Sequence, residues 1–554
     1  MKIAGTWLWA LALSLSAATA QSIDQIDPLL EDRRQQALEQ RTNELGSLTV
    51  RGGVSDPGPA QARGGPCFFI DEISVEGVHI LPHDEVAAVV SSYIPSCMEG
   101  ADIQAVMRGL DAAYAERGYI TSKTYIPPQN LSEGRLALAV VEGFVEDIFL
   151  LDEDGQVETA RGDRQLATAF PGVRGRPFQL RDFEQGLDQM NRLASVEAVL
   201  RLQPGDEEGG SHVLVQRLQQ DRFRGYLRFD TLAANNTGRN RASLDVSVDD
   251  LFGANDYWSL GYTGTRDTNA LTLRGNVPYG YSTVGVELGY SEYLTPLSDL
   301  AELFGNSHTA QLEWRHIVRR DQLSVTELVS ALQISRSSRW VNAAALNPQG
   351  LTVLDIGVQH MQLGDGQRNS WDATLSFGLP MFSAANNAHG DDGPKTQFAR
   401  LGFGWQRQAA WADLGTSVTD LRFQHSPHIL YGAQQMAVGS WSTIRGYDEV
   451  EASGESGIYM RNDLYLSPEL WIGHLPEGWQ DAGARWQPHV FFDMGAVRDR
   501  AARNNHYAAG MGIGASWYGE RLTAQALLAV PLIEDNDVGI GDPLFQLRVD
   551  LKAW

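Results

Sequence analysis

The chain reads as a multidomain exported protein: two small α/β domains, then a C-terminal transmembrane β-barrel of about sixteen antiparallel strands, with an N-terminal plug helix. Three observations predict this. The chain opens on a secretory signal, yet after it no run of eighteen apolar residues follows, so any membrane span must be a closed barrel. From Arg222 to Trp554 the side chains alternate apolar and polar with period two. Between these regions lie two similar units of roughly seventy-five residues, each patterned strand, helix, helix, strand, strand.

The signal occupies residues 1–20, with Lys2 in its n-region, an apolar stretch from Trp7 to Leu13 and Ala18-Thr19-Ala20 before Gln21. The segment 21–46 contains one amphipathic helix, over 27–45, with Asp27 as cap, Pro28 in the first turn and Gly46 at its end. Its apolar stripe, Leu30, Ala37, Leu38 and Leu45, is too narrow for an ordinary core and suits a wet pore; a solvated helix is the alternative. Residues 47–66, rich in Gly, Pro, Ser and Ala, form a flexible linker.

The first α/β unit spans 67–143, with strands over 70–75, 119–125 and 135–141 and helices over 84–94 and 102–118. Ile103, Val106, Met107, Leu110 and Tyr114 recur at helical spacing, as core residues do. The second unit spans 144–220; Leu180, Phe183, Leu187, Met190 and Leu193 mark its second helix. The only two cysteines, Cys67 and Cys97, lie in the first unit of an exported chain and are expected to form a disulfide, with two free thiols as the alternative.

In the barrel region, 221–554, Phe223, Gly225, Leu227 and Phe229 alternate with Arg222, Arg224, Tyr226 and Arg228. Further runs begin near 242, 256, 270, 282, 308, 323, 351, 370, 397, 415, 457, 487, 506, 521 and 543, an even total of sixteen; spacing alone also admits fourteen or eighteen. The aromatic terminus, Trp554, falls out of phase with Phe545, Leu547, Val549 and Leu551.

A formal charge of −25 argues against nucleic acid as a partner, since phosphate binding relies on basic contacts. No Gly-x-Ser-x-Gly elbow and no His-Glu-x-x-His string occurs, so an enzyme, a cofactor and a metal are not expected. Gly510-Met511-Gly512-Ile513-Gly514-Ala515 matches a loose dinucleotide fingerprint but lies on an alternating strand, where glycines relieve crowding on a lumen wall. His425 and His428 are read as loop residues and 389–393 as a polar turn rather than a calcium loop.

The most informative strings are Ile444-Arg445-Gly446-Tyr447 and, some fifty residues later, Phe491-Phe492-Asp493-Met494-Gly495. An arginine in a Gly-containing turn and an aspartate inside an aromatic strand are each costly if buried alone, so they make most sense as a pair. A solvated loop arginine is the bland alternative. The two strings resemble the signature motifs of the outer-membrane transporters of two-partner secretion, the TpsB family of haemolysin secretion/activation type. In that family the loop arginine reaches into the barrel and meets an aspartate on the wall.

The strings PCFFIDEISVEG and GYITSKTYIPPQNLSEGRLALAVVEG resemble the first polypeptide-transport-associated (POTRA) domain of that family. LDQMNRLASVEAVLRLQPGDEEGGSHVLVQ resembles the end of the second. The resemblance implies a bacterial outer-membrane translocase with POTRA domains in the periplasm. It would export, and in some members activate, a large unfolded exoprotein carrying a two-partner secretion domain. Its contacts would be outer-membrane lipid and that partner, it would work as a monomer, and folding of the partner outside would replace ATP as the drive. Ile444, Arg445, Gly446, Tyr447, Phe491, Asp493 and Gly495 are then the expected transport motif. A barrel-assembly insertase and a diffusion porin are the alternatives; two modules with a preceding helix and linker favour secretion.

Overall fold

The computed structural model describes residues 67–554 except 160, 234–236, 299, 322, 383, 385–392, 448–449, 451 and 534–539. The expected signal, plug helix and linker, and most of the 389–393 turn, lie outside the described residues.

The first unit contains β1 (Phe68–Ile70), β2 (Glu72–Glu76), α1 (His83–Ser91), β3 (Ser96–Met98), α2 (Gly100–Glu116), β4 (Lys123–Tyr125) and β5 (Arg135–Val141). β5 is the centre of a three-stranded sheet, parallel to β2 and antiparallel to β4. The apolar stripe of α2 seals one face: Val106 and Leu110 are wholly buried against Leu136 and Leu138 of β5, and Tyr114 against Val140. The small β1–β3 ladder, which the sequence pattern did not reveal, sets Phe69 opposite Cys97. Next to it Cys67 and Cys97 form a disulfide, Cα atoms 5.5 Å apart. The strand expected from 119 begins only at Lys123, because Tyr119 and Ser122 close a turn through Ser122 N–H donating to Tyr119 O.

The second unit repeats the plan with β6 (Phe144–Leu151), α3 (Arg161–Ala169), α4 (Leu180–Asn191), β7 (Val196–Pro204) and β8 (Gly210–Gln219). β8 lies between β6, parallel, and β7, antiparallel, so β7 is a sheet edge. Phe178 stacks on Phe183 at 4.6 Å in a core shared with Leu150, Met190 and Val213.

A closed antiparallel barrel follows. Its first seven strands are β9 (Phe223–Asp230), β10 (Arg241–Asp249), β11 (Tyr257–Gly264), β12 (Thr268–Tyr279), β13 (Ser282–Ser298), β14 (Ala301–Arg320) and β15 (Ser324–Val341). β16 (Ala344–Ala345) is a two-residue extension paired with β15, not a separate wall strand. The wall continues as β17 (Gln349–Gly364), β18 (Gln367–Gly378), β19 (Ala399–Trp411) and β20 (Gly415–His425). A loop hairpin, β21 (Met436–Val438) with β22 (Ala452–Gly454), intervenes. β23 (Ser456–Leu466), β24 (Trp486–Asp499), β25 (Asn504–Tyr518), β26 (Leu522–Pro531) and β27 (Leu544–Lys552) complete sixteen wall strands among the described residues.

β27 closes on β9 through a short ladder, from Arg548 opposite Asp230 to Lys552 opposite Tyr226. Beyond it Ala553 N–H donates to Gly225 O at 2.8 Å, and the Trp554 ring lies where a Cβ on Gly225 would have to go. The out-of-phase terminal aromatic is thus spent on the seam rather than on the ladder.

Alternation gives the barrel two chemically different faces. On β24, Val490, Phe492 and Met494 are exposed outward while Phe491 and Asp493 are buried inward. Such an outward apolar surface, repeated on strand after strand, is what lipid requires and water would not tolerate.

The second unit is bolted to the turns at one end of the barrel. Arg161 and Gln165 of α3 both donate to Asp250 Oδ2, at 2.8 Å and 2.6 Å. Gly280 N–H donates to Thr168 O at 2.7 Å, and Arg320 at the foot of β14 pairs with Asp188 of α4. Asp249, fully buried, takes the Ser195 N–H and both Nη groups of Arg224.

Candidate functional site: an arginine loop seated in the barrel lumen

The longest excursion from the wall, residues 426–455, leaves β20, folds back as the β21–β22 hairpin and returns as β23. It folds inward because it carries its own core: Val438, Ile444 and Tyr447 pack with Tyr459, Val497 and Ala508 of the wall. Apolar side chains that would crowd an exposed loop are buried here, with Ile444 wholly inaccessible and Tyr447 nearly so.

That packing delivers Arg445 to the lumen wall. Its Nε donates to Asp493 Oδ2 at 2.7 Å and its Nη2 to Asp493 Oδ1 at 2.8 Å. The Arg445 backbone N–H also donates to Asp493 Oδ2, at 3.1 Å. The other edge of the guanidinium grips Asp463 of β23, Nη1 to Oδ1 at 2.7 Å and Nη2 to Oδ2 at 3.1 Å. The expected pair is therefore one arginine shared between two carboxylates. Below it, the Phe491 ring lies 3.9 Å from the guanidinium carbon, a cation–π contact on the face that the carboxylates leave open.

All three charged side chains are out of water: Arg445 is 4 % exposed, Asp493 0 % and Asp463 10 %. Their desolvation is offset by the planar match of fork to carboxylate, which satisfies the acceptors with charge-assisted bonds. Lysine would bring the charge without that geometry.

The neighbours of Arg445 fix its seat. Gly446 has φ of +112°, and a Cβ there would stand 3.0 Å from Pro531 N and Val530 C, so both conformation and space demand glycine. Tyr447 donates its hydroxyl towards Ala509 O (3.1 Å) and Ile533 O (3.0 Å) and accepts from Ala509 N–H (3.3 Å). Gly495 leaves room for Tyr459 and Ile444: a Cβ on it would fall 2.9 Å from Ile444 Cδ1. On the adjoining strand, a Cβ on Gly510 would overlap the Arg445 carbonyl, and one on Gly512 would meet the Phe491 ring at 2.6 Å. The glycines of the GMGIGA string accordingly clear the wall for the loop, as expected for lumen glycines, while Met511 and Ile513 point outward, exposed.

The structure thus brings all seven motif residues into one cluster. Sequence reasoning missed Asp463. Its signal was Arg461 and Asp463 at alternate positions on β23, which the register sets opposite Asp493 and Phe491. Arg461 also contributes, donating to Ser442 O of the loop at 2.8 Å. Beside the cluster opens a cavity of about 720 Å³ lined by polar and charged side chains, among them Arg368, Ser370, Gln406, Asp420, Arg461 and Asp550. His425 and His428 serve loop bonding: the latter accepts the Ala399 N–H at Nδ1, 3.2 Å.

Known proteins match this architecture along its length. The model of the haemolysin secretion/activation protein family ShlB/FhaC/HecB matches residues 209–517, a ShlB-type POTRA model matches 68–143 and a further POTRA model matches 145–204. The outer membrane transporter CdiB of Escherichia coli O6:K15:H31 is 28 % identical over 471 residues, 82 % of this chain and 79 % of that one. The hemolysin transporter protein ShlB of Serratia marcescens is 26 % identical over 551 residues, 95 % of this chain and 92 % of its own. In fold, the solved structure of CdiB from Escherichia coli superposes with a TM-score of 0.84 at 24 % identity, covering 95 % of this chain and 98 % of that one. Two POTRA domains ahead of a sixteen-stranded barrel, with a family match across more than half its length, mean that the chain belongs to the ShlB/FhaC/HecB family of haemolysin secretion/activation proteins.

Proposed function

We propose that this outer-membrane barrel exports one large, unfolded partner protein carrying a two-partner secretion domain from the periplasm to the cell surface. Arg445, seated on Asp493 and Asp463, holds the long loop in the conformation that export requires. Ile444, Gly446, Tyr447, Phe491 and Gly495 shape that seat.

The observation that carries the reading is a largely desolvated ionic seat on the wall of a polar lumen. A passive diffusion channel has no need to immobilise a loop at such desolvation cost. The POTRA domains supply the entry side. Edge strand β7 exposes Val199 and Leu202, and although the Asn191 side chain bonds the N–H and C=O of Ala198, no strand pairs with the edge beyond it, so a partner segment can add there through its main chain with little demand on sequence. One copy encloses a lumen by itself, so a monomer suffices, embedded in outer-membrane lipid. The family match over both modules and the barrel favours export over barrel insertion. Chemistry on the partner is not part of the reading.

Ser370 and Gln406 face each other on the cavity wall and give a direct test. A photo-crosslinking residue at either position should trap the partner in transit in cells that secrete it. A partner that reaches the surface without crosslinks at either position, and equally well when this protein is deleted, would refute the reading.

A further inference from the structure

In the second POTRA domain three metal-ligating side chains from separate segments converge. The parallel ladder of β6 and β8 slips between Val145 and Asp147. That irregularity takes Glu146 out of the strand's alternation and turns its carboxylate to the β7–β8 turn, the re-aiming for which bulges are used near sites. There Glu146 Oε2 accepts the Glu207 N–H at 3.0 Å, while Oε1 lies 3.3 Å from His212 Nε2. Asp206, at the exposed tip of the turn, completes a group whose ligand atoms all lie within 4.8 Å of one another. Gly205 and Gly210 flank the carboxylate, and a Cβ on either would overlap Glu146 Oε2. Phe149 meets the His212 ring edge-on at 5.7 Å and fixes its plane.

The spacing of this group suits a tetrahedral ion. Nitrogen and oxygen ligands about 2.0 to 2.2 Å from a tetrahedral ion stand roughly 3.3 to 3.5 Å apart. The Glu146–His212 separation already has that value, and a carboxylate oxygen of Asp206 lies within 4.8 Å of both. Backbone support of Oε2 orients the other Glu146 oxygen, Oε1, towards His212 Nε2, which is how outer-shell bonds prepare a ligating carboxylate. No spacing in the sequence pointed here, because Glu146 is far along the chain from Asp206 and His212.

We propose that Glu146, Asp206 and His212 form a binding site for a first-row divalent cation of the zinc type, with water completing the coordination. Bound metal ties the β7–β8 turn to β6 and stiffens one end of the exposed edge strand.

The test uses the full-length protein in detergent, without a polyhistidine tag and stripped by chelator. Titrated with Co²⁺, it should develop the visible d–d band of a low-symmetry, four-coordinate site at one equivalent, displaced by Zn²⁺. Outer-shell changes already weaken metal sites by about 10- to 100-fold, so loss of a ligand in His212→Gln should raise the Zn²⁺ dissociation constant by about 100-fold or more, and Asp206→Asn by at least about 10-fold. His425→Gln, at the other end of the barrel, should leave the titration unchanged. Zn²⁺ should also slow hydrogen exchange of the Glu207 amide in the wild type and not in His212→Gln. Absence of the band in the wild type, or a band that both ligand variants leave intact, overturns the site and leaves a histidine–glutamate hydrogen bond capping a turn.

Discussion

Arg445→Lys keeps the positive charge of the loop and removes its fork, so it separates geometry from charge. Arginine makes four side-chain hydrogen bonds here, two to each carboxylate, all between 2.7 and 3.1 Å. An ammonium group is a point donor and cannot span Asp493 and Asp463 in the same plane, so one of two buried carboxylates loses its partner. Breaking one side of a buried ion pair costs on the order of 3 to 5 kcal/mol. At about 1.4 kcal/mol per tenfold, the ratio of seated to unseated loop falls by roughly two to four orders of magnitude. Ser442 reads this out: it lies in the loop, it is 1 % exposed and its hydroxyl makes no bond among the described residues, so Ser442→Cys is benign. The native cysteines are paired with each other and will not label. Reaction of Cys at 442 with a membrane-impermeant maleimide on whole cells should be about 100-fold faster in the Arg445→Lys background, at matched barrel levels. An unchanged rate would show that a single positive charge is enough to seat the loop and would refute the bidentate argument.

Three smaller predictions follow from other parts of the fold. Tyr447→Phe removes the hydroxyl shared by Ala509 and Ile533 and should destabilise the seated loop by about 1 to 3 kcal/mol, seen as faster labelling at position 442 with barrel assembly intact. Replacing Cys67 and Cys97 by serine opens a loop of sequence separation 30 and should lower the stability of the first POTRA domain by about 3 to 4 kcal/mol in urea titration of a 67–143 fragment; an unchanged midpoint would deny the bond a stabilising role. Glu142 is pushed up by burial but held below the ordinary carboxylate range by the His79 and Ile80 N–H groups and the Tyr114 hydroxyl, at 2.8, 2.7 and 2.7 Å. Its contribution is present above the unfolded carboxyl value and is lost as pH falls through the depressed one, so the fragment should weaken on acidification below about pH 4.5 and Glu142→Gln should flatten that dependence.

How far the sequence could be read depended on whether the relevant force was local. The wall strands at Ser282 and Gly415 begin where the alternation begins, because lipid on one side and water on the other impose period two residue by residue. The pattern placed the next strand near His308, but β14 begins at Ala301. Over that extra length the outward positions are mixed, Glu302 and Asn306 about Phe304, while the inward Leu303 is buried with Tyr293 and near Val341 and Leu346, so the apolar-outward signature stops while the strand continues. Arg445 and Asp493 were legible because each is anomalous in its own surroundings. Asp463 was not, since an aspartate among lumen-facing polar residues looks ordinary until the register brings it beside Arg445. The docking of α3 on Asp250 and of Asp188 on Arg320 was equally silent, because it joins segments with no local pattern in common. The β1–β3 ladder was too short to show a period.

Export itself decides the central claim. The measurement is secretion of the cognate partner by Arg445→Ala, by Asp493→Ala and by the exchanged Arg445→Asp with Asp493→Arg, each at wild-type outer-membrane levels of the barrel. Arg445→Ala leaves the wholly buried Asp493 without its partner, and Asp493→Ala leaves the 4 % exposed Arg445 with Asp463 alone, so both should secrete far less partner than the wild type while the barrel still assembles, and partial recovery by the exchange would demonstrate direct contact. Wild-type export by both single variants would contradict the account, for the loop would then be seated for structure alone and not for transport.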